Sequence, residues 1–385
     1  MKIGILTQPL ITNYGGILQA FALQTILERM GHNVWIVDRS FKEPTLIHSF
    51  ASSLKRFIEK YILRKKNIQP VLLSIPTLTE RNTIAIQITP FLKLYFPKIT
   101  SKINNNKDLR EIVNLGFDAF VVGSDQVWRP NYSPCITNYF LDFLEDKSNI
   151  KRIAYAASFG VDDWEFSTKL TVQCASLAKN FNDISVREDS AVSLCKDRLG
   201  VDAIQVLDPT MLLTKYDYIK LVEKDNIPRS EGTLMTYVLD NSVEKNDIIL
   251  EISNLLGLIP FSVMPIKQFS DAGHKHLEAC IFPKVTKWIR GFMDADFVVT
   301  DSFHGTVFSI IFNKQFISIG NSGRGLTRFV SLLNIFKLND RLILSKDELT
   351  EEKIRKNIDF DQVNNIWDNE KQKSIKFLFD SLKCV

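Results

Sequence analysis

The sequence predicts an α/β protein of two domains, each built on a parallel sheet. Short apolar runs alternate with amphipathic helical stretches through most of the chain, a pattern typical of parallel β-α units whose sheets are covered on both faces. The alternation occurs once before and once after residues 208–230. The chain has 385 residues, of which 45% are hydrophobic, so it is long enough for two domains with sizeable cores.

The first half opens with a predicted strand at Lys2–Leu6, a helix at Ile17–Met30 that ends at Gly31, and a strand at Asn33–Val37. We predict an irregular, largely helical insertion at about 40–115. The remaining elements of this half are predicted strands at Phe117–Val122, Arg152–Ala156, Ile184–Val186 and Ala203–Val206, with helices at Ser167–Asn180 and Ser190–Leu199.

The second half repeats the alternation after a predicted linker at 208–230. Domains are therefore expected at 1–207 and 231–346, followed by a charged helical segment at 347–385. This order of elements favours two Rossmann-like domains that face each other across a cleft. The predicted strands of the second half are Leu234–Leu239, Phe261–Met264, Phe297–Thr300 and Phe316–Ile319.

Composition and charge exclude several classes of protein. A net charge of +4 is too small to indicate binding to nucleic acid. The N-terminal sequence MKIGILTQPL has the features of a first strand rather than a signal peptide, and no apolar stretch is long enough to cross a bilayer. We therefore expect a cytoplasmic protein. Five scattered cysteines are expected to be free thiols in a reducing compartment: Cys135, Cys174, Cys195, Cys280 and Cys384.

The segment Asp296–Arg324 carries the strongest functional signal. An apolar strand leads through Ser302 and His304 into a buried helix, and a helix N-terminus favours phosphate or carboxylate groups. A histidine at that point can transfer a proton to such a ligand. A second strand then ends in a glycine-rich turn with Arg324, so two strand ends present His304 and Arg324 to one crevice. Alternatively, Ser302 only caps the helix and His304 decorates its first turn.

The motif TDSFHGTVFSI, with a basic residue in the turn after the next strand, resembles the C-terminal signature of the polysaccharide pyruvyl transferases. The resemblance extends from Met1 to about Leu338, and it implies a glycosyltransferase-B-like fold and phosphoenolpyruvate as the donor substrate. We expect no cofactor, and the sequence shows no metal site at a recognised ligand spacing. Four further segments are similar to motifs of that family, in the same order: Asn13-Tyr14-Gly15-Gly16 followed by Leu18-Gln19, VGSDQVW at 122–128, ISVRE at 184–188 and LDPT at 207–210.

The resemblance also implies the reaction. Phosphoenolpyruvate is protonated at C3, a sugar hydroxyl attacks C2, phosphate leaves, and a second hydroxyl closes a cyclic ketal. His304 is the candidate acid and base for the proton transfers. Arg187 could hold the donor or could pair with Glu188 and Asp189, and Arg328 could be a second cation or a solvated helix residue. The candidate donor-binding residues are Arg187, Ser302, His304, Gly305 and Arg324.

Polar loops after two strands of the first half suit a sugar acceptor, and Trp128 could provide an aromatic plate for it. Asp125 is a second catalytic candidate because it could accept the proton of the attacking hydroxyl, although it could equally cap the next segment. We expect a glycan or a lipid-linked oligosaccharide as the acceptor, with galactose, mannose and N-acetylhexosamine as alternatives. The candidate acceptor-binding residues are Asn13, Tyr14, Gly15, Gly16, Asp125, Gln126 and Trp128.

A basic amphipathic helix is predicted at Leu54–Lys66. It could contact an anionic membrane surface, which predicts a peripheral location at the inner face of the membrane, or it could pack its apolar side on the protein. Two other functions remain alternatives. One is a nucleotide-sugar-dependent glycosyltransferase of the same architecture, and the other is a non-catalytic carbohydrate-binding relative. His304 with Arg324 argues against the non-catalytic relative, because sugar binding alone needs no titratable group beside an anion site.

Overall fold

The computed structural model describes residues 1–41, 76–144, 149–320 and 325–383. It confirms the predicted α/β fold, with two parallel sheets and helices packed against them. The helix predicted at Leu54–Lys66 lies outside the described residues. Among the residues that are described, no helix is long and apolar enough to cross a membrane, and the four cysteines are free thiols.

The first sheet has six parallel strands in the order β2-β1-β3-β4-β5-β6. These strands are short apolar runs because helices and loops cover both of their faces, as the buried β3 shows. They are β1 (Lys2–Leu6), β2 (Asn33–Ile36), β3 (Ala119–Val122), β4 (Lys151–Ala157), β5 (Asp183–Val186) and β6 (Ile204–Gln205).

Six α-helices are described before the end of β6. Three of them lie in the predicted insertion, and the last continues into a π-helical turn at Cys195–Leu199, which accounts for the longer helix expected there. The helices are α1 (Tyr14–Arg29), α2 (Leu78–Ile84), α3 (Thr89–Tyr95), α4 (Asn106–Glu111), α5 (Thr168–Ala178) and α6 (Asp189–Leu194).

The second sheet has five parallel strands in the order β11-β10-β9-β7-β8. Its strands are β7 (Leu234–Tyr237), β8 (Pro260–Ser262), β9 (Phe297–Thr300), β10 (Gln315–Ile319) and β11 (Leu342–Ile343). The edge strand β11 was not predicted, since two residues are too short to show a strand pattern.

Eight α-helices accompany this second sheet or follow it. The stretch predicted as a linker contains the first of them, which begins at a capping box formed by Thr214 and Asp217. The helices are α7 (Lys215–Lys224), α8 (Val243–Leu256), α9 (Phe269–Ala272), α10 (Val285–Asp294), α11 (Phe303–Ile311), α12 (Leu326–Phe336), α13 (Glu351–Arg355) and α14 (Phe360–Leu382).

Helix α14 crosses from the second half back to the first. Its Trp367 Nε1 donates a hydrogen bond to the Met211 carbonyl at 2.7 Å, and its Ser374 Oγ accepts one from the Leu207 N–H at 3.0 Å. Leu378 on the same helix is fully buried in a core that contains residues of both halves. Helix α14 therefore joins the two halves through side-chain hydrogen bonds and a shared core.

We expect Leu378→Ala to lower the free energy of unfolding by about 2–5 kcal/mol, because it leaves a cavity in this shared core. The neighbouring Phe379 is 54% exposed, so Phe379→Ala should change the free energy of unfolding by only about 0.5 kcal/mol. Urea denaturation of both variants measures the difference. Equal effects of the two substitutions would show that α14 does not pack as described.

Candidate active site

His304 lies in the first turn of α11, directly after β9. Ser302 is the N-cap residue of this helix, and its Oγ accepts a hydrogen bond from the Gly305 N–H at 3.4 Å. The predicted strand-to-helix junction is present, and Ser302 caps it as the simpler interpretation required. His304 is only 5% exposed, and both Ser302 and His304 line a cavity between the two sheets. His304 therefore faces an internal space at the positive end of a helix.

The N-terminus of α1 meets His304 from the other half of the molecule. Gly15 is so close that a Cβ atom on this residue would lie 2.0 Å from His304 Nδ1. Only a residue without a side chain fits there. Asn13 caps α1, and its Oδ1 accepts a hydrogen bond from the Gly16 N–H at 3.1 Å. Two helix N-termini, one from each half, thus converge on this region, and both favour negative charge.

Asp208 is the buried counter-charge of His304. Its Oδ2 lies 3.5 Å from His304 Nε2 and 2.9 Å from Arg187 Nη1. The same oxygen accepts a hydrogen bond from Ser124 Oγ at 3.0 Å, and Oδ1 accepts bonds from the N–H and Oγ of Thr210. Burial alone would raise the pKa of Asp208, but the cationic neighbours His304 and Arg187 outweigh burial and hold this pKa well below its usual value. The carboxylate is therefore ionised at neutral pH.

Arg187 follows β5 and lies behind Asp208. Its guanidinium Cζ is 4.4 Å from the centre of the Phe303 ring, and its Nη2 is 3.9 Å from Asp125 Oδ1. Burial would lower the pKa of Arg187, but the carboxylates, Glu188 foremost, outweigh burial and raise it. Arg187 is 4% exposed and does not line the cavity. The expectation that Arg187 touches the donor is corrected, because its side chain is buried behind Asp208 and does not reach the cavity.

The turn after β3 brings Asp125 to the cavity wall. Asp125 has a left-handed φ of 76°, and its Oδ2 accepts a hydrogen bond from Asn13 Nδ2 at 3.1 Å. Its Oδ1 accepts a hydrogen bond from the Gln126 N–H at 2.9 Å. The Asp125 side chain therefore bonds the start of the following segment, as one of the two sequence interpretations proposed. Asn13, Asp125 and Gln126 all line the cavity. Polar groups predicted from two separate loops therefore share one wall with His304.

The cavity has a volume of about 790 Å³ and is formed by loops at the carboxyl ends of both sheets. This size is in the range of pockets that bury a small organic ligand. The first half contributes mainly amide and hydroxyl side chains, and the second half contributes charged side chains of both signs together with apolar groups. Representative lining residues are Gln8, Asn131 and Tyr132 on the first side, and Lys267, Phe269, Phe282 and Arg328 on the second.

Trp128 does not reach the cavity. Its side chain is fully buried, its Nε1 donates a hydrogen bond to the Tyr139 carbonyl at 2.9 Å, and its ring stacks on Phe140. The prediction that Trp128 binds the acceptor is wrong, because no face of its ring is open to a sugar. The aromatic ring of this region that does line the cavity belongs to Tyr132, which is 41% exposed and lies 4.5 Å from the Arg129 guanidinium carbon.

Several other residues predicted to bind a ligand lie behind the residues that line the cavity. Tyr14 is 1% exposed, and its hydroxyl donates a hydrogen bond to the Pro283 carbonyl at 2.7 Å, which joins the two halves. A Cβ atom on Gly305 would lie 2.1 Å from Thr300 Oγ1, so this glycine allows α11 to begin tightly against β9. Direct ligand contact was expected for four residues that do not line the cavity: Tyr14, Gly15, Gly16 and Gly305.

Two residues of the site had weaker sequence signals. Asp208 stands in the LDPT segment after a short strand, but its sequence position indicated no role. Arg328 lies in α12 and lines the cavity, so it is not a solvated helix residue. Arg324, the predicted partner of His304, lies outside the described residues. In the part of the chain that is described, no group of three or more His, Cys, Asp or Glu side chains could hold a metal ion.

The sequence profile of the polysaccharide pyruvyl transferase family matches residues 13–323. This chain belongs to the polysaccharide pyruvyl transferase family. The match covers most of the chain and includes Asn13, Asp125, Asp208 and His304, whereas Arg328 lies beyond it. Comparison with curated proteins finds no significant match.

Solved structures with similar folds support a glycosyltransferase-B architecture for this polysaccharide pyruvyl transferase family member. Arabidopsis thaliana UGT89C1 complexed with UDP-L-rhamnose aligns with a TM-score of 0.54 at 8% identity, covering 98% of this chain and 97% of that chain. UDP-GlcNAc 2-epimerase from Neisseria meningitidis bound to UDP-GlcNAc aligns with a TM-score of 0.51 at 9% identity, covering 99% of both chains. At these identities the likeness concerns the fold alone.

Gly15→Ala should destabilise the protein by about 1–3 kcal/mol, because the new methyl group overlaps the His304 ring. Alanine otherwise favours a helix by up to about 1 kcal/mol over glycine. In the double variant Gly15→Ala/His304→Ala the overlap is removed, so urea denaturation should show a favourable coupling of about 1 kcal/mol or more. Strictly additive effects would mean that the two residues are not in contact.

Asp208→Asn should lower the free energy of unfolding by about 3–5 kcal/mol at pH 7, since it leaves buried cations without their counter-charge. The pKa of Asp208 in the folded state lies below that of the unfolded state, near 3.9. The stabilisation is therefore present above about pH 4 and is lost as the pH falls further. Denaturation curves between pH 7 and 2 should show the wild type approaching the variant on acidification.

The exposed Asp380 provides the control for this experiment, because its ion pairs with Lys376 and Lys383 lie on the surface. Asp380→Asn should leave the free energy of unfolding nearly unchanged at every pH, because water and salt screen exposed ion pairs. A constant difference between wild type and Asp208→Asn across the whole pH range would contradict the buried ion pair.

Proposed function

We propose that this protein transfers a pyruvyl group from phosphoenolpyruvate to two hydroxyls of a sugar, forming a cyclic ketal and releasing phosphate. The acceptor would be a surface polysaccharide or its lipid-linked precursor. The observation that carries the proposal is the pairing of His304 with the ionised Asp208 at the N-terminus of α11, 3.5 Å apart, in a cavity of a chain that belongs to this family.

The donor is proposed to lie against the N-terminus of α11, where Ser302 and His304 line the cavity. Phosphoenolpyruvate carries a phosphate and a carboxylate, and the free N–H groups and positive dipole end of a helix favour both. Asp208 provides a counter-ion for the imidazolium form of His304, which is the form that can protonate C3. The Arg187 guanidinium keeps Asp208 ionised and in place.

The proposed reaction begins when His304 gives a proton to C3, which becomes a methyl group while C2 becomes electrophilic. The first sugar hydroxyl forms a bond to C2, the bond from C2 to the phosphate oxygen breaks, and the second hydroxyl closes the ketal. Asp125, which lines the cavity and accepts a hydrogen bond from the α1 cap Asn13, is the proposed acceptor of the first hydroxyl proton, and it passes this proton to the departing phosphate. The second hydroxyl proton restores the imidazolium.

The acceptor is proposed to occupy the part of the cavity lined by amide side chains of the first half. Gln8, Gln126 and Asn131 can hydrogen-bond sugar hydroxyls, and the exposed ring of Tyr132 offers an apolar face. A cavity of about 790 Å³ has room for a donor and a hexose together. In the proposed complex, two neighbouring hydroxyls of one sugar would lie near C2 of the donor.

The function is tested by donor binding and by the fate of a solvent hydrogen. Phosphoenolpyruvate should raise the melting temperature of the wild type, whereas UDP-sugars should not, because only a ligand of the native state stabilises it. In D₂O with a panel of galactosides, mannosides and N-acetylhexosaminides, the product methyl group should carry one deuterium from C3 protonation. His304→Gln should retain most of the donor-induced shift and lose turnover by about 100-fold or more.

A melting-temperature shift with a UDP-sugar and none with phosphoenolpyruvate would overturn the proposal in favour of a glycosyltransferase. Donor binding with full turnover in His304→Gln would remove His304 from the chemistry. Phe379→Ala is a suitable control for both experiments, since Phe379 is exposed on α14 and far along the chain from the cavity residues.

A further inference from the structure

Two buried guanidinium groups lie against one aromatic ring beside the active site. The Cζ atoms of Arg187 and Arg328 are 4.4 Å and 5.7 Å from the centre of the Phe303 ring. Both side chains are more than nine-tenths buried. They differ in their surroundings, because Arg187 faces the carboxylate of Asp208, whereas Arg328 lines the same cavity as His304.

The position of Arg328 is unfavourable for a cation in three respects. The side chain is 8% exposed, so its charge has lost most of its hydration. Arg187 places a like charge nearby, and Arg328 is the third residue of α12, at the positive end of that helix. Burial first, and then the charge of Arg187, lower the pKa of Arg328 to about 10, although the carboxylates of Asp125 and Glu188 act in the opposite direction. Arg328 therefore remains protonated at neutral pH, and its side chain lines the cavity beside Ser302 and His304.

We propose that Arg328 binds the phosphate group of the donor. The identity of that donor as phosphoenolpyruvate rests on the proposed function. A guanidinium fork matches phosphate oxygens in pairs, and a phosphate dianion neutralises two neighbouring cations better than a single carboxylate does. Arg187 adds positive potential, and its Nε and Nη2 atoms have no hydrogen-bond partner among the described residues.

This assignment gives Arg328 a specific part in the reaction. Negative charge builds up on the departing phosphate as the bond from C2 to oxygen breaks. A cation fixed in the cavity wall stabilises that charge without reorganisation. Since Ser302 and His304 line the same cavity at the N-terminus of α11, the proton donor and the cation of the leaving group can act on one molecule.

Isothermal titration of the full chain with phosphoenolpyruvate and with inorganic phosphate tests the proposal. Arg328→Gln should weaken binding of both ligands by roughly 10- to 100-fold, the usual loss for a charged hydrogen bond. Arg328→Lys keeps the charge without the fork, so its loss should be smaller. Arg355→Gln is the matched control, because Arg355 is an exposed arginine of α13 that pairs with Glu351 on the surface and does not line the cavity. This variant should bind both ligands like the wild type.

Each alternative outcome is decisive. Unchanged affinity in Arg328→Gln, or an equal loss in Arg355→Gln, would overturn the assignment while leaving the proposed function intact. Loss of phosphoenolpyruvate binding with unchanged phosphate binding in Arg328→Gln would also overturn it. If the wild type binds phosphate through Arg328 but does not bind phosphoenolpyruvate, the anion site stands and the proposed donor fails. Binding of neither ligand by the wild type would reject both. If Arg328→Gln does not fold, the comparison of Arg328→Lys with wild type decides, and equal affinity there rejects the phosphate fork.

Discussion

A buried carboxylate between the two domains is the constraint on which the rest of the site depends. Asp208 belongs to the first half, has no exposed side-chain surface, and faces His304 of the second half. Burying an ion costs several kcal/mol unless hydrogen bonds and opposite charges replace water. Ser124, Thr210 and Arg187 supply most of that replacement from within the first half. His304 supplies the remainder, so the ionisation of Asp208 and the relative position of the two domains depend on each other.

Packing contacts around the cleft hold His304 close to Asp208. Gly15 allows the His304 ring to approach α1, and the Tyr14 ring stacks on Trp288 of the other half at 5.7 Å. On a different side, Ser331 of α12 accepts hydrogen bonds from the Asp189 N–H at 3.1 Å and from a side-chain amide of the first half. Contacts on several sides of the cleft therefore define the distance from His304 to Asp208. A ligand enters a cavity whose charged wall is already assembled.

The sequence predicted the fold well because buried parallel strands are continuous apolar runs, as β3 and β9 are, and because Ser302 marks a helix start by its chemistry. The sequence did not predict which distant segments contact one another. Nothing local distinguishes an arginine that faces a buried carboxylate from one that faces a cavity, so Arg187 was assigned to the ligand. The prediction that Trp128 binds the acceptor was wrong for a similar reason. The turn at Asp125 has a left-handed φ of 76°, and the chain that follows it leads Trp128 into the core.

The two arginines beside Phe303 show how one kind of side chain can serve opposite purposes in a small volume. Arg187 lies close to several carboxylates, and its charge holds Asp208 ionised beside His304. Arg328 is buried near the like charge of Arg187, with the carboxylates of Asp125 and Glu188 acting in the opposite direction, and it borders the cavity. In the proposed reaction, acid catalysis at C3 and departure of phosphate require opposite electrostatics, since one needs a stabilised imidazolium and the other a stabilised anion. Dividing the two tasks between an arginine paired with a buried carboxylate and an arginine that faces the cavity allows both within one site.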